Sequence, residues 1–164
     1  MVTVEWHYQH DAGRPFAETS AELAERHPEH RELIAALHPR FNETIGEALP
    51  GMPELVADLD AAGVPLYAIT NFSAEFFPPF RAKEAAMFDR FRDIVVSGDE
   101  RLVKPDPAIY RLALDRFGLA AGDAAFVDDN TANVMAAQAL GIHAILFEGA
   151  DTLRPKLREL GFPV

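Results

Sequence analysis

The pattern of hydrophobic and polar positions changes near Pro50-Gly51. From Asp11 to Pro50 the apolar residues recur at helical spacing, and the runs AETSAELAERH and HRELIAALHPRFNETIGEAL predict helices. The short start of the chain, MVTVEWHY, is rich in residues that favour strands. We therefore predict a helical part over residues 1–50 and a second unit over residues 51–164.

After Gly51, short β-rich runs alternate with helical runs. The predicted strands read VPLYAIT, DIVVS, AAFVD and HAILF, and the predicted helices read PELVADLDAAG, AIYRLALDRFG, TANVMAAQALG and TLRPKLRELG. Asp106 and Pro107 suit the cap and the first turn of the second of these helices. This alternation is typical of βαβ units, so the predicted fold class is α/β with a parallel sheet.

Polar residues follow three of the predicted strands, at the point where each strand ends. Thr70 and Asn71 follow VPLYAI, Lys104 lies in the loop after DIVVS, and Asp128 and Asp129 follow AAFV. Ligands of open α/β sheets bind beyond the carboxyl ends of the strands, so these side chains are expected to converge. Taken singly, Thr70-Asn71 also suits a turn or a helix cap, and Lys104 a solvated loop.

The adjacent aspartates carry the most specific signal. Two carboxylates directly after a buried strand repel each other unless a cation or hydrogen bonds hold them. Hard divalent ions such as Mg²⁺ prefer oxygen ligands, and Asp128 and Asp129 therefore predict a Mg²⁺ site.

Composition and charge narrow the range of partners. The chain carries 15 Lys and Arg residues against 26 Asp and Glu residues, and the net charge of -11 argues against nucleic acid or an anionic membrane as the main partner. There is no cysteine, which excludes disulfides, cysteine nucleophiles and thiolate metal sites. No apolar run is long enough to span a membrane and no signal-peptide pattern is present, so the cytoplasm is the expected location.

Other candidate sites have weaker support. The pairs His7/His10 and His27/His30 lack carboxylate partners at zinc-like spacing and are expected at the surface. The sequence contains no Walker A motif and no G-x-G-x-x-G motif, and Ser73 does not lie in a G-x-S-x-G elbow.

The order of these motifs resembles the haloacid dehalogenase superfamily of hydrolases, most of whose members are Mg²⁺-dependent phosphatases. The matching runs are AITNFS, LVKPDPAIYRLAL and FVDDNTANVMAAQALGIHAILF, so the resemblance covers residues 51–164 closely. It implies a Rossmann-like parallel sheet with helices on both faces. Residues 1–50 resemble part of the family's α-helical cap, and residues 51–164 its hydrolase core.

The resemblance also implies roles for individual residues. Thr70 and Asn71 would bind the phosphoryl oxygens together with Lys104, which would also neutralise the nucleophile. Asp128 and Asp129 would hold Mg²⁺, and Lys104 and Asp129 are the expected catalytic residues.

The chain departs from the family pattern in two places. Asn133 stands where many members have a further acid, and it is expected to order the loop or the water shell of the metal. No apolar strand ending in the family's first motif, D-x-D-x-T, is present, so the nucleophilic aspartate is expected to be absent. Asp58-Leu59-Asp60 has the spacing but lies in a predicted helix, where it suits a solvated face.

The absent motif would also remove the central strand of the sheet, between the strands that end at Thr70 and Asp128. That loss would leave two apolar strand edges unpaired. Truncation, a misassigned start, a degenerate gene or a partner chain that supplies the strand would each account for it. The chain alone is expected to be inactive.

Three functions follow. The leading hypothesis is a Mg²⁺-dependent phosphatase that cleaves a small anionic phosphate monoester through an aspartyl-phosphate intermediate. The second is a 2-haloacid dehalogenase, which uses the same nucleophile without metal. The third is a non-catalytic protein that binds phosphate or a partner. A homo-oligomer and a strand-supplying partner chain both remain open.

Overall fold

The computed structural model of the protein describes residues 2–164 and contains helices throughout, with strands only after residue 65. The first part contains α1 (Val4–Asp11), α2 (Phe16–Arg26) and α3 (Arg31–Arg40), with 3₁₀ turns at Pro28–His30 and Phe41–Thr44. The second part contains α4 (Met52–Ala61), β1 (Leu66–Thr70), α5 (Phe77–Lys83), α6 (Ala85–Phe88), β2 (Phe91–Val96), α7 (Ser97–Glu100), α8 (Pro107–Phe117), a 3₁₀ turn at Ala121–Asp123, β3 (Ala125–Asp128), α9 (Thr131–Ala139), β4 (His143–Leu146) and α10 (Ala150–Glu159). The predicted α/β fold with parallel strands is confirmed.

The strands form two separate parallel pairs. β1 pairs with β2, so that Thr70 lies opposite Val96, and β3 pairs with β4, so that Asp128 lies opposite Leu146. Among the described residues, no hydrogen-bonded ladder joins β1 to β3. An apolar cavity of about 450 Å³ is lined by residues of both strands instead.

Helices cover the strand pairs on two faces. Ile109, Tyr110 and Ala113 of α8 form the core on one face, where Ile69 and Phe126 pack against them. On the other face, leucines of α4 and α10 form a second core with Leu66 and Val127: Leu55, Leu59, Leu153 and Leu157. Alternate residues of each strand therefore point into different cores, as the pleat requires. Asp106 caps α8 as predicted, because its side chain accepts a hydrogen bond from the Ala108 N–H.

The start of the chain is helical from Val4, although its residues favour strands. Thr3 begins α1, and its hydroxyl accepts a hydrogen bond from the N–H of Trp6. Tertiary packing of the buried Trp6 against Phe16 outweighs the strand preference of the residues. The second predicted helix ends earlier than expected, because the chain passes through Pro39 into a 3₁₀ turn and residues 45–49 are irregular.

Within residues 2–164, no helix has both the length and the apolar character needed to cross a membrane.

His10 is buried, not exposed as its polar sequence neighbours suggested. Only 2% of the residue is exposed, because Trp6 and Phe16 pack around its ring. The Thr19 hydroxyl donates to the carbonyl of Phe16 at 3.1 Å, so it accepts from His10 Nε2 at 2.6 Å. This assigns the proton to Nε2 and leaves Nδ1 without a hydrogen-bond partner among the described residues.

This environment predicts a pH dependence of folding. Burial lowers the pKa of His10 from 6.5 to about 4, with a smaller effect of the neighbouring His7. Because the folded state disfavours the charged ring, the stabilisation is complete above pH 6.5 and is lost as the pH falls toward 4. Between pH 6.5 and pH 4, titration of His10 should lower the free energy of unfolding of the wild type by up to about 3 kcal/mol. His10→Gln should remove this contribution.

The measurement is urea unfolding of wild type and His10→Gln at several pH values. Burial raises the pKa of Asp11 to about 6, which changes stability in the opposite direction, but Asp11 is present in both proteins and its effect is removed by subtraction. His30→Gln is the matched control because the side chain of His30 is 43% exposed. Parallel pH profiles of wild type and His10→Gln would contradict the assignment.

Candidate active site

A buried ion pair lies where the carboxyl ends of β1 and β3 come together. Lys104 Nζ donates to Asp128 Oδ2 at 2.7 Å, and the two side chains are only 11% and 6% exposed. Lys104 also lies over the ring of Phe126, 5.6 Å from its centre. The predicted convergence of the loop lysine with the strand-end aspartate is therefore observed.

Asn71 holds the main chain of Lys104 in place. Its Nδ2 donates to the carbonyl of Lys104 at 3.0 Å, and its Oδ1 accepts from the N–H of Lys104 at 2.8 Å. Both polar atoms of the amide are therefore committed to Lys104, and the side chain acts as a clamp between two loops. Thr70, at the end of β1, makes no side-chain hydrogen bond within residues 2–164.

The second oxygen of Asp128 is also engaged. Its Oδ1 accepts from the N–H of Asn130 and from Nδ2 of Asn133, each at 2.9 Å. Asn130 in turn caps α9 by accepting from the N–H of Ala132. A cation and two hydrogen bonds thus hold the buried carboxylate, and one of these bonds comes from Asn133.

The hydroxyl of Tyr110 holds the main chain of Asn133, which in turn contacts Asp128. This buried hydroxyl donates to the carbonyl of Asn133 at 3.0 Å. Burial, with a smaller contribution from the charge of Asp128, raises the pKa of Tyr110 well above its ordinary value. The hydroxyl therefore stays neutral and remains a donor at physiological pH.

Asp129 differs from Asp128 because it is exposed to solvent. Across residues 2–164, no group of three or more acidic or histidine side chains forms a closed metal site. The oxygen donors of Asp128 and Asp129 nevertheless suit Mg²⁺, which commonly binds one or two carboxylates and takes its other ligands from water and substrate phosphate.

Two residues that the sequence motifs did not single out organise the same edge. Ser97 is fully buried at the end of β2, and its hydroxyl accepts from the N–H of Phe72 at 3.0 Å. The N–H of Gly98 donates to the carbonyl of Phe72, and a Cβ on Gly98 would lie 2.4 Å from the nitrogen of Ala74. The sequence feature that could have predicted this close approach of two loops is the Ser-Gly pair directly after an apolar strand.

The helical part packs against the loop after β1. The carboxylate of Glu75 accepts from the N–H of Phe16 at 2.8 Å, and Asn42 Nδ2 donates to the carbonyl of Phe76 at 3.2 Å. The rings of Phe41 and Phe76 stack with their centres 4.2 Å apart. Helices α1 to α3 therefore lie next to the segment that carries Thr70 and Asn71.

The D-x-D sequence in α4 is not part of this edge. Asp58 pairs with Arg154 and Asp60 with Arg90, each at 2.7 Å, as expected of a solvated helix face.

Residues 4–141 match the haloacid dehalogenase-like hydrolase family. The chain belongs to this family. Among curated relatives, it is 34% identical over 116 residues to a phosphoglycolate phosphatase of Yersinia pseudotuberculosis, with 70% of the chain and 49% of that protein covered. It is 33% identical over 122 residues to the sesquiterpene phosphatase astK of Aspergillus oryzae, with 73% of the chain and 62% of that protein covered. The chain thus spans about half to three-fifths of the length of these relatives.

Solved structures show the same fold. A haloacid dehalogenase-family enzyme of Bacteroides thetaiotaomicron, crystallised with magnesium and inorganic phosphate, superposes with a TM-score of 0.72 at 18% identity, covering 87% of this chain and 75% of that one. A crystallised dehalogenase superposes with a TM-score of 0.65 at 21% identity, covering 81% of this chain and 60% of that one.

The buried pair predicts strong energetic coupling. Removing one partner leaves the other charge buried, so we expect Lys104→Met and Asp128→Asn each to cost roughly 3 kcal/mol of unfolding free energy. The loss of unfolding free energy in the double variant should be smaller than the sum of the two single losses by at least about 1 kcal/mol. Denaturant unfolding of the four proteins of this cycle measures the coupling.

The exposed pair of Lys156 and Glu148, 2.9 Å apart, is the matched control. Lys156→Met should cost no more than about 1 kcal/mol, because solvent screens this pair. Additive effects of Lys104→Met and Asp128→Asn would show that the buried pair does not couple the two loops.

Proposed function

We propose that this chain forms the phosphate-binding and metal-binding part of a Mg²⁺-dependent phosphatase for small phosphate monoesters. The proposal rests on the side chains at the carboxyl ends of the parallel strands, where a lysine held by Asn71, a strand-end hydroxyl and two adjacent aspartates lie together. The phosphatase relatives support the same reaction class.

Lys104 supplies the positive charge that an anionic substrate requires. The net charge of the chain is -11, so a phosphate ester approaches an unfavourable overall field. A lysine that is largely shielded from water interacts strongly with the phosphoryl group, because the local dielectric is low. The Asn71 clamp fixes the main chain that carries this lysine, and the hydroxyl of Thr70 is free to donate to a phosphoryl oxygen.

Asp129 and Asp128 are the residues that would hold Mg²⁺. When bound, the ion supplies charge neutralisation and Lewis-acid polarisation of the phosphoryl oxygens. The side chain of Asp129 is exposed and makes no hydrogen bond within residues 2–164, so it can turn toward an ion without breaking an existing contact. Asp128 is held rigidly, which fixes the position of one oxygen ligand.

The proposed reaction passes through an aspartyl-phosphate, and we assign the nucleophile to neither of these aspartates. A carboxylate of Asp128 or Asp129 that ligates the metal is poorly placed for in-line attack on the phosphorus. This chain alone is therefore proposed to bind phosphate and Mg²⁺ without appreciable turnover.

The helical residues 1–50 are proposed to serve as a partial cap over residues 51–164. The contacts of Phe16 and Asn42 with the loop after β1 support this role. The adjacent aspartates favour a phosphatase over a 2-haloacid dehalogenase, since dehalogenation needs no metal.

Binding of inorganic phosphate, measured by calorimetry with and without Mg²⁺, tests the site. We expect Mg²⁺ to strengthen phosphate binding, and Asp129→Asn to reduce the Mg²⁺-dependent part at least about tenfold because a metal ligand is lost. Asp129 is exposed, so this variant should retain the wild-type melting temperature without ligand. Lys104→Arg, which keeps the charge, should retain phosphate binding better than Lys104→Met.

Asp151→Asn is a control, because this aspartate is also exposed but lies in α10. Equal Mg²⁺-dependent binding by wild type and Asp129→Asn would refute the metal assignment. Mg²⁺-independent halide release from 2-chloropropionate would favour the dehalogenase and would also contradict the expected lack of turnover by this chain alone.

A further inference from the structure

We infer that Glu75 is a positioning residue that couples the helical part of the chain to the loop that carries Lys104. Its carboxylate caps helix α2 from the segment after β1, so the order of α2 and the affinity of the site for phosphate should change together. The effect on phosphate rests on the proposed function, whereas the contact of Glu75 with α2 and its link to Asn71 do not.

Helix α2 receives no cap from its own sequence neighbours. Pro15 precedes the first helical residue, Phe16, and supplies no side-chain hydrogen bond. The N–H of Phe16 donates instead to Glu75 Oε1 at 2.8 Å, although the two residues are 59 positions apart in the sequence. A carboxylate at a helix N-terminus stabilises the helix through such a hydrogen bond and through the helix dipole. Glu75 therefore serves as the cap of α2.

The second oxygen of Glu75 faces helix α3. His38 Nε2 lies 3.4 Å from Glu75 Oε2, so a protonated His38 ring forms an ion pair there. The neighbouring Phe76 ring contacts the same part of the chain, because its centre lies 5.1 Å from that of Phe16 and 4.2 Å from that of Phe41. Two consecutive residues thus hold the start of α2 and the end of α3.

The segment that carries Glu75 is fixed to the phosphate site by a series of hydrogen bonds. The N–H of Glu75 donates to the hydroxyl of the buried Ser73 at 3.2 Å. Phe72 is bonded to the first residues of α7 through both its N–H and its carbonyl. Asn71 then holds the main chain of Lys104. A displacement of Glu75 is therefore transmitted to Lys104 along residues 71–75.

Amide exchange and phosphate affinity together test this coupling. Loss of a helix cap typically changes an equilibrium constant about fivefold, which sets the upper limit of the effect. At saturating phosphate, exchange of the Phe16 amide in the wild type should slow about two- to fivefold. Glu75→Ala should abolish this slowing and weaken phosphate binding by the same factor, because linkage is reciprocal. Exchange detected by NMR and calorimetry measure the two quantities.

Two further variants separate the hydrogen bond from other effects of the substitution. Glu75→Gln keeps an acceptor oxygen for the N–H of Phe16 and should restore most of the wild-type affinity and exchange rate. Glu47→Ala is the matched control and should change neither quantity, because Glu47 is also exposed and makes no side-chain hydrogen bond or ion pair within residues 2–164. Circular dichroism verifies that each variant folds.

Asn71→Ala tests the coupling without phosphate. Removal of the Asn71 side chain should speed exchange of the Phe16 amide at least about twofold in the wild type and have little further effect in Glu75→Ala, because coupled residues are not additive. If the wild type binds no phosphate, the proposed function fails, and this comparison alone decides the role of Glu75.

Three results would overturn the inference. The first is an equal effect of Asn71→Ala on Phe16 exchange with and without the Glu75 carboxylate. The second is unchanged phosphate affinity of Glu75→Ala when the wild type binds phosphate. The third is a failure of Glu75→Gln to restore affinity and exchange, which would show that the hydrogen bond to Phe16 is not the link.

Discussion

The ion pair between Lys104 and Asp128 is the interaction on which the arrangement of this protein depends. The two strand pairs share no ladder among the described residues, and this contact ties the loop after β2 to the end of β3. Removing both charges from water costs several kcal/mol, so the pair contributes little net stability. The pair instead fixes the relative positions of the two loops, because Asn71 holds the main chain of Lys104 and Asn133 holds the carboxylate of Asp128.

The apolar cavity next to this ion pair leaves the core between the two strand pairs incompletely packed. The side chains that line this apolar volume of about 450 Å³ lack the contacts that a closely packed core would give them. The leucines of α4 and α10 and the aromatic residues of α8 are thus built for a denser core than residues 2–164 provide. Filling the volume would stabilise both strand pairs at once.

The strands, the main helices and the edge that carries the site were predictable from sequence because each follows a local rule. Periodicity located the elements, and strand ends located Asn71, Lys104 and Asp128. The burial of His10 and the helix at Val4–Asp11 were missed, since both depend on Trp6 and Phe16 packing from elsewhere in the chain. The roles of Ser97 and Gly98 also arise only when two loops approach each other.

Fold and chemistry meet at one edge of the two strand pairs. Asn71 follows β1 directly, and its side chain fixes the main chain of Lys104, whose ammonium group pairs with Asp128 at the end of β3. A change in the packing of either strand pair would therefore move the lysine relative to the aspartate. The two apolar cores thus determine the geometry of the polar edge as well as the stability of the fold.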